Sequence, residues 1–534
     1  MTKLHEPSRD ECVIRELIDK NAAEQPDKIF LKNADGREWT YAELRQSVRR
    51  AASGLQLLGV KQGDFVLGWM PNCPEMVIAW FAVNYIGAVF VPTNVSYRGK
   101  LLEHVVALSD ACVAIIHADL LPRLKDIGIA TLSDVVVFGG DPPEDRRLKF
   151  HSYDIFNQDG PLAPLERPIE PWDSVYIIFT SGTTGPSKAV LSSYAMIWYA
   201  NPEAFPAMKR ETRFMVTTPY FHGAATGFTY AMLVRGGSIA LVESFKTPEF
   251  WSVIRSTEAT ACILLGVMMP FLLNERPSPS DRDHTLKTVS TAPWGEHCLE
   301  FARRFGVDLY TAFNMSETST PIVSPANPKK MGVAGRKRDG YDLKIVDEHD
   351  HELPTGQAGE LIIRSDRPWA TLTAYHKNPE ATASAWRNGW FHTGDSLKVD
   401  EDGDYFFVDR IKDAIRRRGE NVSSFEVEAV VLEHPAVQQC AAVAVPNELA
   451  EDEVMVCLAL KSGMELDFKA FVEFLQPRMA HFMVPRYVRI MDALPTTPSG
   501  KIQKAELRKE GVTNETWDRE AAGMIIKRDV IGVR

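Results

Sequence analysis

The regular alternation of short β-rich runs with helical patterns is the feature that most constrains the fold of this chain. Thr40 and Glu43 have the spacing of a capping box, which predicts that a helix begins there, and "GDFVLGWM" is then expected to be a strand. The apolar run over Met76–Tyr85 predicts a second helix, and "AVFVPTN" after it predicts the next strand. Strands that alternate with helices are typical of an α/β fold with largely parallel sheets.

The length and the changing texture of the chain predict more than one domain. With 534 residues the chain is too long for a single hydrophobic core. From about Gly335 the apolar runs become short and polar-flanked, which is typical of a small β-barrel-like region. After Arg410 a compact α/β unit of roughly 120 residues follows, a normal size for a small domain. We place the boundary near "VDRIKDAI", where no linker rich in proline or glycine separates the two parts.

Composition and charge exclude several classes of protein. A net charge of −11 without a long block of like charge argues against a nucleic-acid-binding protein, which should be basic. The seven cysteines lack a C-x-x-C spacing, which favours a reducing compartment and no zinc site, and the N-terminal residues lack the apolar core of a signal peptide. The most apolar run, Met76–Pro92, is slightly short for a membrane span, contains Asn84 and breaks at Gly87. We therefore predict a cytoplasmic protein with no membrane span.

A glycine-rich loop with hydroxyl side chains lies between Tyr176 and Val190, in "YIIFTSGTTGPSKAV". Glycines let backbone N–H groups turn toward an anion, and threonine and serine hydroxyls add donors, so the pattern predicts a phosphate-binding loop. Its glycines and lysine are spaced G-x-x-G-x-x-K, which is neither the Walker A spacing nor G-x-G-x-x-G. The alternative is a surface turn, which the well-formed apolar strand before the loop disfavours. The residues expected to contact phosphate are Thr180, Ser181, Gly182, Thr183, Thr184, Gly185 and Lys188.

Five more stretches complete a pattern that resembles a known family. They are "PYFHGAATG", "YTAFNMSETS", "GWFHTGDSLKVDEDGDYFFVDRIKD", "RRGENVSSFEVE" and "LPTTPSGKIQKAELR". Together with "FTSGTTGPSK" they resemble the ordered signatures of the adenylate-forming superfamily, which includes acyl-CoA synthetases, adenylation domains of peptide synthetases and beetle luciferases. The resemblance extends from "WTYAEL" to "PSGKIQK". Within the superfamily the sequence is most similar to the crotonobetaine/carnitine-CoA ligase-like group of acyl-CoA ligases.

The resemblance implies a two-domain α/β architecture and a two-step reaction. A large N-terminal domain of parallel-type α/β subdomains would occupy residues 1–409, with a small β-barrel-like subdomain at about 335–409. A hinge at 410–413 would join it to a small mobile α+β C-terminal domain at 414–534. The enzyme would use ATP and Mg²⁺ to activate a small-molecule carboxylic acid as acyl-AMP with release of pyrophosphate, and would then transfer the acyl group to coenzyme A. A homodimer is expected from the group.

Two other functions stay open. One is an acyl-AMP ligase that loads a separate carrier protein instead of coenzyme A. The other is a catalytically inactive adenylate binder, which should have lost Glu317, Asp395 or Lys501. All three residues are present, so a catalyst is favoured.

The resemblance assigns residues to the adenylation step. The glycine-rich loop and Ser316 would bind the phosphates of ATP, and Glu317 would hold Mg²⁺ against them, because a hard cation prefers carboxylate and phosphate oxygens. Asp395 and Arg410 would bind the ribose. Lys501 would place an ammonium between the acyl carboxylate and the α-phosphate, where it offsets the repulsion of two anions in the transition state. Without the motifs, Glu317 could cap a helix, Asp395 could lie in a turn and Lys501 could be an exposed loop lysine.

Other residues are assigned to thioester formation. Lys412 would be the hinge about which the C-terminal domain rotates between an adenylating pose and a thioester-forming pose. In the second pose Gly419 would line the pantetheine channel, where a side chain would block the thiol. Arg418, within the run Arg416–Arg418, would meet the 3′-phosphate of coenzyme A through charge-assisted hydrogen bonds, and a solvated face is the alternative for this run.

The acyl group is expected near His222, which matches the family's gate between the nucleotide and acyl pockets, although a lone histidine is more often a core residue. The stretch "YFHGA" has no aspartate to pair with an amino group, which disfavours an α-amino acid. Phe313 and Asn314, expected at the adenine, stand where the family usually has Tyr-Gly, so the departure affects substrate identity rather than the reaction. Trp294 could line the pocket or lie in the core. The expected, mostly apolar acyl pocket consists of His222, Val267, Trp294, Ala312, Phe313, Thr318 and Ile322.

Overall fold

The computed structural model describes residues 4–129, 131–144, 146–180, 187–265, 268–410, 414–417, 420–447, 452–495 and 502–526. Within these residues the fold class predicted from the sequence is confirmed. The chain is a mixed α/β protein with a large N-terminal part built on two extended sheets and a separate small C-terminal domain. Among the described residues, no helix has both the length and the apolar character that a membrane crossing requires.

The helices are spread through both parts of the chain. They are α1 (Arg9–Cys12), α2 (Ile14–Glu24), α3 (Tyr41–Leu57), α4 (Pro74–Tyr85), α5 (Gly99–Ser109), α6 (Tyr194–Ala200), α7 (Gly223–Arg235), α8 (Phe250–Thr257), α9 (Met268–Leu273), α10 (Glu296–Phe305), α11 (Pro379–Ala385), α12 (Ser424–Val431), α13 (Phe468–Leu475) and α14 (Lys504–Glu510).

The strands are short and many. They are β1 (Ile29–Asn33), β2 (Glu38–Thr40), β3 (Phe65–Trp69), β4 (Val89–Pro92), β5 (Val113–His117), β6 (Asp134–Phe138), β7 (Lys149–Ser152), β8 (Ser174–Thr180), β9 (Lys188–Ser193), β10 (Arg213–Val216), β11 (Ser238–Leu241), β12 (Ala261–Leu265), β13 (Thr288–Ala292), β14 (Asp308–Met315), β15 (Thr318–Val323), β16 (Val333–Lys337), β17 (Tyr341–Val346), β18 (Gly359–Ser365), β19 (Ala374–Tyr375), β20 (Trp386–Arg387), β21 (Trp390–Val399), β22 (Asp404–Arg410), β23 (Ala414–Arg417), β24 (Glu420–Ser423), β25 (Val437–Pro446), β26 (Asp452–Leu460), β27 (Tyr487–Ile490) and β28 (Trp517–Asp518).

Local sequence explains where the first long helices begin. The N-cap hydroxyl of Thr40 accepts from the backbone N–H of Glu43 at 3.2 Å, and the Glu43 carboxylate accepts from the N–H of Thr40 at 2.8 Å, so the predicted capping box is confirmed. Helix α4 begins with Pro74 at its first turn, where a missing N–H costs nothing. The residues from Met76 to Tyr85 are all buried, as expected for a helix that is apolar on every side and lies in a core.

Two sheets of the N-terminal part carry the candidate site at neighbouring strand ends. One sheet has the order β19-β9-β8-β4-β3-β5-β6-β7, and β3 to β8 pair in parallel. In the larger sheet the strands β1, β11, β10, β12, β13 and β14 are also parallel neighbours. The predicted parallel α/β organisation is therefore confirmed.

The larger sheet continues beyond β14 as an antiparallel region in the order β15-β16-β22-β21-β18-β17. Its core contains Tyr341, Leu361 and Leu397. Gly335 on β16 has a φ of +129°, and a Cβ there would lie 2.4 Å from the backbone carbon of Val323, so only glycine fits at this crossing. Antiparallel pairing begins already between β14 and β15, so it precedes the change in sequence texture at Gly335.

The C-terminal part has its own sheet, in the order β25-β26-β27-β28, and a separate β23–β24 hairpin. Its core contains Val456, Phe471 and Val488. Leu101 from helix α5 of the N-terminal part also packs into this core, so the two parts are in contact along α5.

Candidate active site

The predicted phosphate loop connects two antiparallel strands. Strand β8 ends at Thr180, strand β9 begins at Lys188, and these two residues are register partners. A loop between two strands differs from the Walker A arrangement, in which the loop opens a helix, and this agrees with the absent Walker spacing. The loop residues Ser181, Gly182, Thr183, Thr184 and Gly185 lie outside the described residues, so their phosphate contacts stay a prediction.

Ser316 and Glu317 form the two-residue turn between β14 and β15, where Met315 and Thr318 are paired. The Glu317 side chain is 7% exposed, and its Oε1 accepts from the hydroxyl of Thr180 at 3.4 Å. The fold thus brings together two residues that are far apart in the sequence. Glu317 lies in a turn between two strands, so the alternative that it caps a helix is wrong.

Tyr375 is a site residue that sequence reasoning missed. It lies on the short strand β19, which pairs with β9 so that Tyr375 is opposite Val190. Its hydroxyl donates to Glu317 Oε1 at 3.0 Å, and the Lys188 ammonium lies 4.6 Å from the centre of its ring. Burial, followed by the charge and hydrogen bond of Glu317, raises the pKa of Tyr375, so the phenol stays protonated and donates. No local signal in "TAYHKNPE" distinguishes it from a core tyrosine.

The Glu317 cluster fits a magnesium–nucleotide site by the chemistry of its groups. It offers one buried carboxylate, the hydroxyl of Thr180 and the ammonium of Lys188. Mg²⁺ is usually held by one or two carboxylates together with substrate phosphates and water, so a single protein carboxylate beside a phosphate loop suffices.

A second acidic cluster belongs to the surface and not to this site. Asp400, Asp402 and Asp404 have carboxylate oxygens within 4.8 Å of one another. The ammonium of Lys330 lies 2.6 Å, 2.7 Å and 2.7 Å from these three carboxylates, and Asp404 also accepts from Arg336. Lysine and arginine therefore neutralise the cluster.

Asp395 and Arg410, the residues predicted for ribose, are register partners across β21 and β22. The Asp395 side chain is 4% exposed, and its backbone N–H donates to the hydroxyl of Thr393. The strand pairing places the two predicted residues next to each other along the backbone.

Glu360 supports the turn that carries the ribose aspartate. Its Oε1 accepts from the N–H of Gly394 at 2.9 Å, and its Oε2 lies 3.0 Å from Nδ1 of His392. Gly394 has a φ of +71°, a conformation that favours glycine. Glu360 therefore holds the backbone immediately before Asp395, a role that no sequence pattern indicated.

The residues predicted for the adenine and acyl pockets pack against different core clusters. Phe313 and Ile322 are partners across β14 and β15 and pack in the same core cluster, where Ile322 is fully buried. Ala312 packs against a different core, and Asn314 is exposed. The neighbouring Thr318 is buried, and its hydroxyl has no hydrogen-bond partner among the residues the structure describes.

Trp294 packs in the core cluster that contains Met269 and Phe301, and it is 3% exposed. Its indole N–H has no hydrogen-bond partner within the described ranges. These facts fit either of two roles for Trp294. It could be a core residue, or it could line a pocket and donate its N–H to a ligand. Val267, the remaining residue of the predicted pocket, lies outside the described residues.

His222 precedes helix α7 and contacts the C-terminal part of the chain. Its Nε2 lies 3.0 Å from Oε2 of Glu420, on strand β24, and its ring lies 4.7 Å from that of Phe221. Burial alone would lower the pKa of His222, but the charge and hydrogen bond of Glu420 outweigh it and raise the pKa above its ordinary value. Glu420 was not singled out from the sequence, although it stands within "RRGENVSS".

The run Arg416–Arg418 does not act as one basic patch. Arg417 is 2% exposed, and its Nε lies 2.6 Å from the Glu453 carboxylate. Its Nη1 donates to the carbonyls of Phe482 and Val484. Neither a solvated face nor a phosphate contact describes this buried arginine. Arg418, Gly419, Lys412 and Lys501 lie outside the described residues, and their roles stay predictions.

Comparison with known proteins supplies the family. The model of the AMP-binding enzyme family matches residues 18–373, and the model of the AMP-binding enzyme C-terminal domain matches residues 426–501. The chain belongs to the AMP-binding enzyme family. The resemblance to the adenylate-forming superfamily is thereby confirmed.

Two curated relatives support the finer placement of this AMP-binding family member. Both are crotonobetaine/carnitine–CoA ligases, one from Salmonella paratyphi A and one from Salmonella typhi. Each is 30% identical over 511 residues, which cover 93% of this chain and 98% of the relative. The predicted likeness to the crotonobetaine/carnitine-CoA ligase-like group is confirmed.

Solved structures confirm the fold of this AMP-binding family member. An amide bond synthetase from Marinactinospora thermotolerans is 24% identical, with a TM-score of 0.79 over 93% of this chain and 99% of that chain. An o-succinylbenzoate CoA synthetase from Bacillus subtilis is 21% identical, with a TM-score of 0.80 over 92% and 98%.

Proposed function

We propose that this protein is an ATP-dependent acyl-CoA ligase that forms an acyl-AMP intermediate and then a coenzyme A thioester. The observation that carries the proposal is the meeting of Thr180, Lys188 and Glu317 where the predicted phosphate loop leaves and re-enters the sheet. Membership of the AMP-binding enzyme family and relatives that are named CoA ligases support it.

In the first step a carboxylate oxygen of the acid attacks the α-phosphorus of ATP, and the bond to the bridging oxygen of pyrophosphate breaks. The chain's own residues neutralise and position charge, since the developing charge lies on phosphate oxygens. Lys188 and Thr180 would contact the leaving phosphates, and Asp395 with Arg410 would hold the ribose. Bound Mg²⁺, held by Glu317, would supply charge neutralisation at the phosphates. Lys501 would bring its ammonium to the reacting oxygens.

In the second step the thiol sulfur of coenzyme A attacks the acyl carbonyl carbon, and AMP leaves with the electrons of the broken C–O bond. The contact between His222 and Glu420 supports a pose in which the start of strand β24 faces the site, and in that pose Gly419 would line the pantetheine channel. Lys412 would be the pivot that reaches this pose, and Arg418 would meet the 3′-phosphate of coenzyme A.

The acid is proposed to be an organic acid without an α-amino group. The relatives' names include carnitine and crotonobetaine, and recognition of a quaternary ammonium would need an aromatic cage or a carboxylate at the acyl site. We propose an acyl site near His222, Ala312, Thr318 and Trp294. The unpaired buried donors of Thr318 and Trp294 favour an acid that brings an acceptor group.

We propose a cytoplasmic homodimer. All seven cysteines are free, and six of them are buried, which fits a reducing compartment. Light scattering of the purified protein measures the oligomeric state directly.

The test is a panel of carboxylic acids incubated with the protein, ATP, Mg²⁺ and coenzyme A. Pyrophosphate release identifies acids that are activated, and mass spectrometry identifies the thioester. We expect pyrophosphate and acyl-CoA with at least one acid, and neither product from Glu317→Ala. Pyrophosphate without acyl-CoA, followed by transfer to a carrier protein, would replace this proposal with the carrier-loading alternative. No pyrophosphate with any acid would support the inactive binder.

A further inference from the structure

The carboxylate of Glu426, in the C-terminal part of the chain, contacts Ser187, the residue directly before strand β9. The N–H of Ser187 donates to Glu426 Oε1 at 2.8 Å, and the Ser187 hydroxyl donates to the same oxygen. Ser187 is 3% exposed and stands directly before Lys188, which contacts Tyr375. Glu426, on helix α12, is thus connected to the Glu317 cluster through adjacent residues.

Ser187 is also fixed from within the N-terminal part. Its carbonyl oxygen lies 2.9 Å from Nε2 of His104, on helix α5. The backbone of Ser187 is therefore held from both parts of the chain, by His104 from the N-terminal part and by Glu426 from the C-terminal part.

Other contacts between the two parts surround this point but are weaker or more exposed. Lys100 and Glu433 form an ion pair at 2.5 Å, in which the lysine is 72% exposed. The hydroxyl of Ser96 lies 3.5 Å from Nδ1 of His481. An exposed ion pair contributes little, whereas two hydrogen bonds to one partly buried carboxylate fix a direction.

We propose that Glu426 is a positioning residue for thioester formation, which docks the C-terminal domain on Ser187 and so holds Glu420 against His222. This inference rests on the proposed acyl-CoA ligase function. Strand β24 carries Glu420 and runs directly into α12, which carries Glu426. Fixing the start of the helix on Ser187 therefore fixes the strand at the site.

The ionisation of Glu426 makes this docking dependent on pH. The titratable and charged groups around the contact are Tyr97, His104, Lys188 and Glu420. Burial raises the pKa of Glu426 from 4.5 to about 7, although the hydrogen bonds from Ser187 oppose the rise. A raised carboxyl pKa means that docking favours the neutral form. Docking therefore weakens as pH rises from about 4.5 to about 7. Above about pH 7 the free-energy cost of docking the ionised carboxylate is fully present and no longer changes with pH.

Two substitutions separate the hydrogen bond from the charge. Glu426→Ala removes the acceptor, and Glu426→Gln keeps an acceptor oxygen but carries no charge at any pH. Glu473→Ala and Glu473→Gln, at an exposed glutamate on helix α13 of the same domain, are the matched controls. Each variant is assayed for pyrophosphate release without coenzyme A and for thioester formation from supplied acyl-AMP.

We expect Glu426→Ala to lose roughly tenfold to a hundredfold in thioester formation, with pyrophosphate release unchanged. Glu426→Gln should keep thioester formation, and its rate relative to wild type should rise between about pH 4.5 and pH 7 and stay constant above that range. Hydrogen exchange at the Ser187 amide should accelerate in Glu426→Ala and stay slow in Glu426→Gln.

Equal loss of both half-reactions in either Glu426 variant, or a Glu426→Gln profile that parallels wild type across pH, would overturn the proposal. The glutamine variant decides the question if the alanine variant folds poorly. Hydrogen exchange needs no substrate, so it distinguishes a failure of the docking proposal from a failure of the acyl-CoA ligase proposal. Slow exchange at Ser187 in both variants contradicts the docking role, whereas an inactive wild type with the expected exchange pattern contradicts only the ligase function.

Discussion

Replacing Tyr375 by phenylalanine is the sharpest perturbation of the nucleotide site. The substitution removes the hydroxyl that donates to Glu317 Oε1 at 3.0 Å and keeps the ring that contacts Lys188. It therefore changes one hydrogen bond and leaves the packing in place. If Glu317 holds the magnesium–nucleotide complex, a less firmly oriented carboxylate should bind that complex less well.

The expected size follows from the two contacts to this carboxylate. A hydrogen bond to a charged group contributes about 1.5–3 kcal/mol, which corresponds to roughly tenfold to 150-fold in rate. The contact from Thr180 at 3.4 Å remains after the substitution and keeps part of the orientation. We therefore expect roughly a tenfold to fiftyfold decrease in kcat/KM for ATP, and a higher Mg²⁺ concentration at half-maximal rate.

The assay is pyrophosphate release with ATP and Mg²⁺ varied independently. Tyr41→Phe is the matched control, because its buried hydroxyl donates to the carbonyl of Gly237, away from the site. This control should leave kcat/KM for ATP unchanged. If Tyr375→Phe loses no more activity than Tyr41→Phe and keeps its Mg²⁺ dependence, the assignment of Glu317 to the metal is refuted.

Four further outcomes test other parts of the site. Lys501→Ala should abolish acyl-AMP formation and spare thioester formation from supplied acyl-AMP; equal loss of both speaks against two poses. Lys412→Pro should show the reverse pattern, and undiminished thioester formation would remove it as the pivot. Glu360→Gln should raise KM severalfold for ATP and for supplied acyl-AMP, which share the ribose, because the turn before the ribose aspartate loses a charged acceptor; an unaltered KM contradicts this support role. Glu420 raises the pKa of His222, so their pairing is complete at low pH and lost as pH rises through that pKa. Glu420→Gln should therefore slow thioester formation most at about pH 6 and flatten its decline toward high pH, whereas an unchanged pH profile would exclude the pair from docking.

Local patterns predicted the elements that depend on neighbouring residues. The capping box at Thr40 is present, and the helix expected over Met76–Tyr85 begins two residues earlier because Pro74 is accepted in a first helical turn. The antiparallel pairing of β8 with β9 was not predicted, since the phosphate loop replaces the helix that would make the connection parallel. Pattern alone could not reveal which way the chain turns after that loop.

Residues that depend on distant partners were missed. Tyr375 reaches Glu317 only because β19 pairs with β9, and Glu426 reaches Ser187 only through the packing of two domains. The basic run at Arg416–Arg418 was interpreted as one surface, but Glu453 and two carbonyls bury its middle residue. Motif resemblance found residues with shared chemistry, whereas their supporting partners are set by tertiary contacts.

The central claim is that a carboxylate oxygen attacks the α-phosphorus of ATP, and isotope transfer measures this most directly. An accepted acid labelled with ¹⁸O in its carboxylate is converted in the presence of ATP, Mg²⁺ and coenzyme A. The reaction proposed here predicts one ¹⁸O atom in the phosphate of AMP, the other ¹⁸O atom in the carbonyl of the acyl-CoA thioester, and no label in pyrophosphate. Label in inorganic phosphate with formation of ADP, or AMP without label, would contradict the adenylate mechanism.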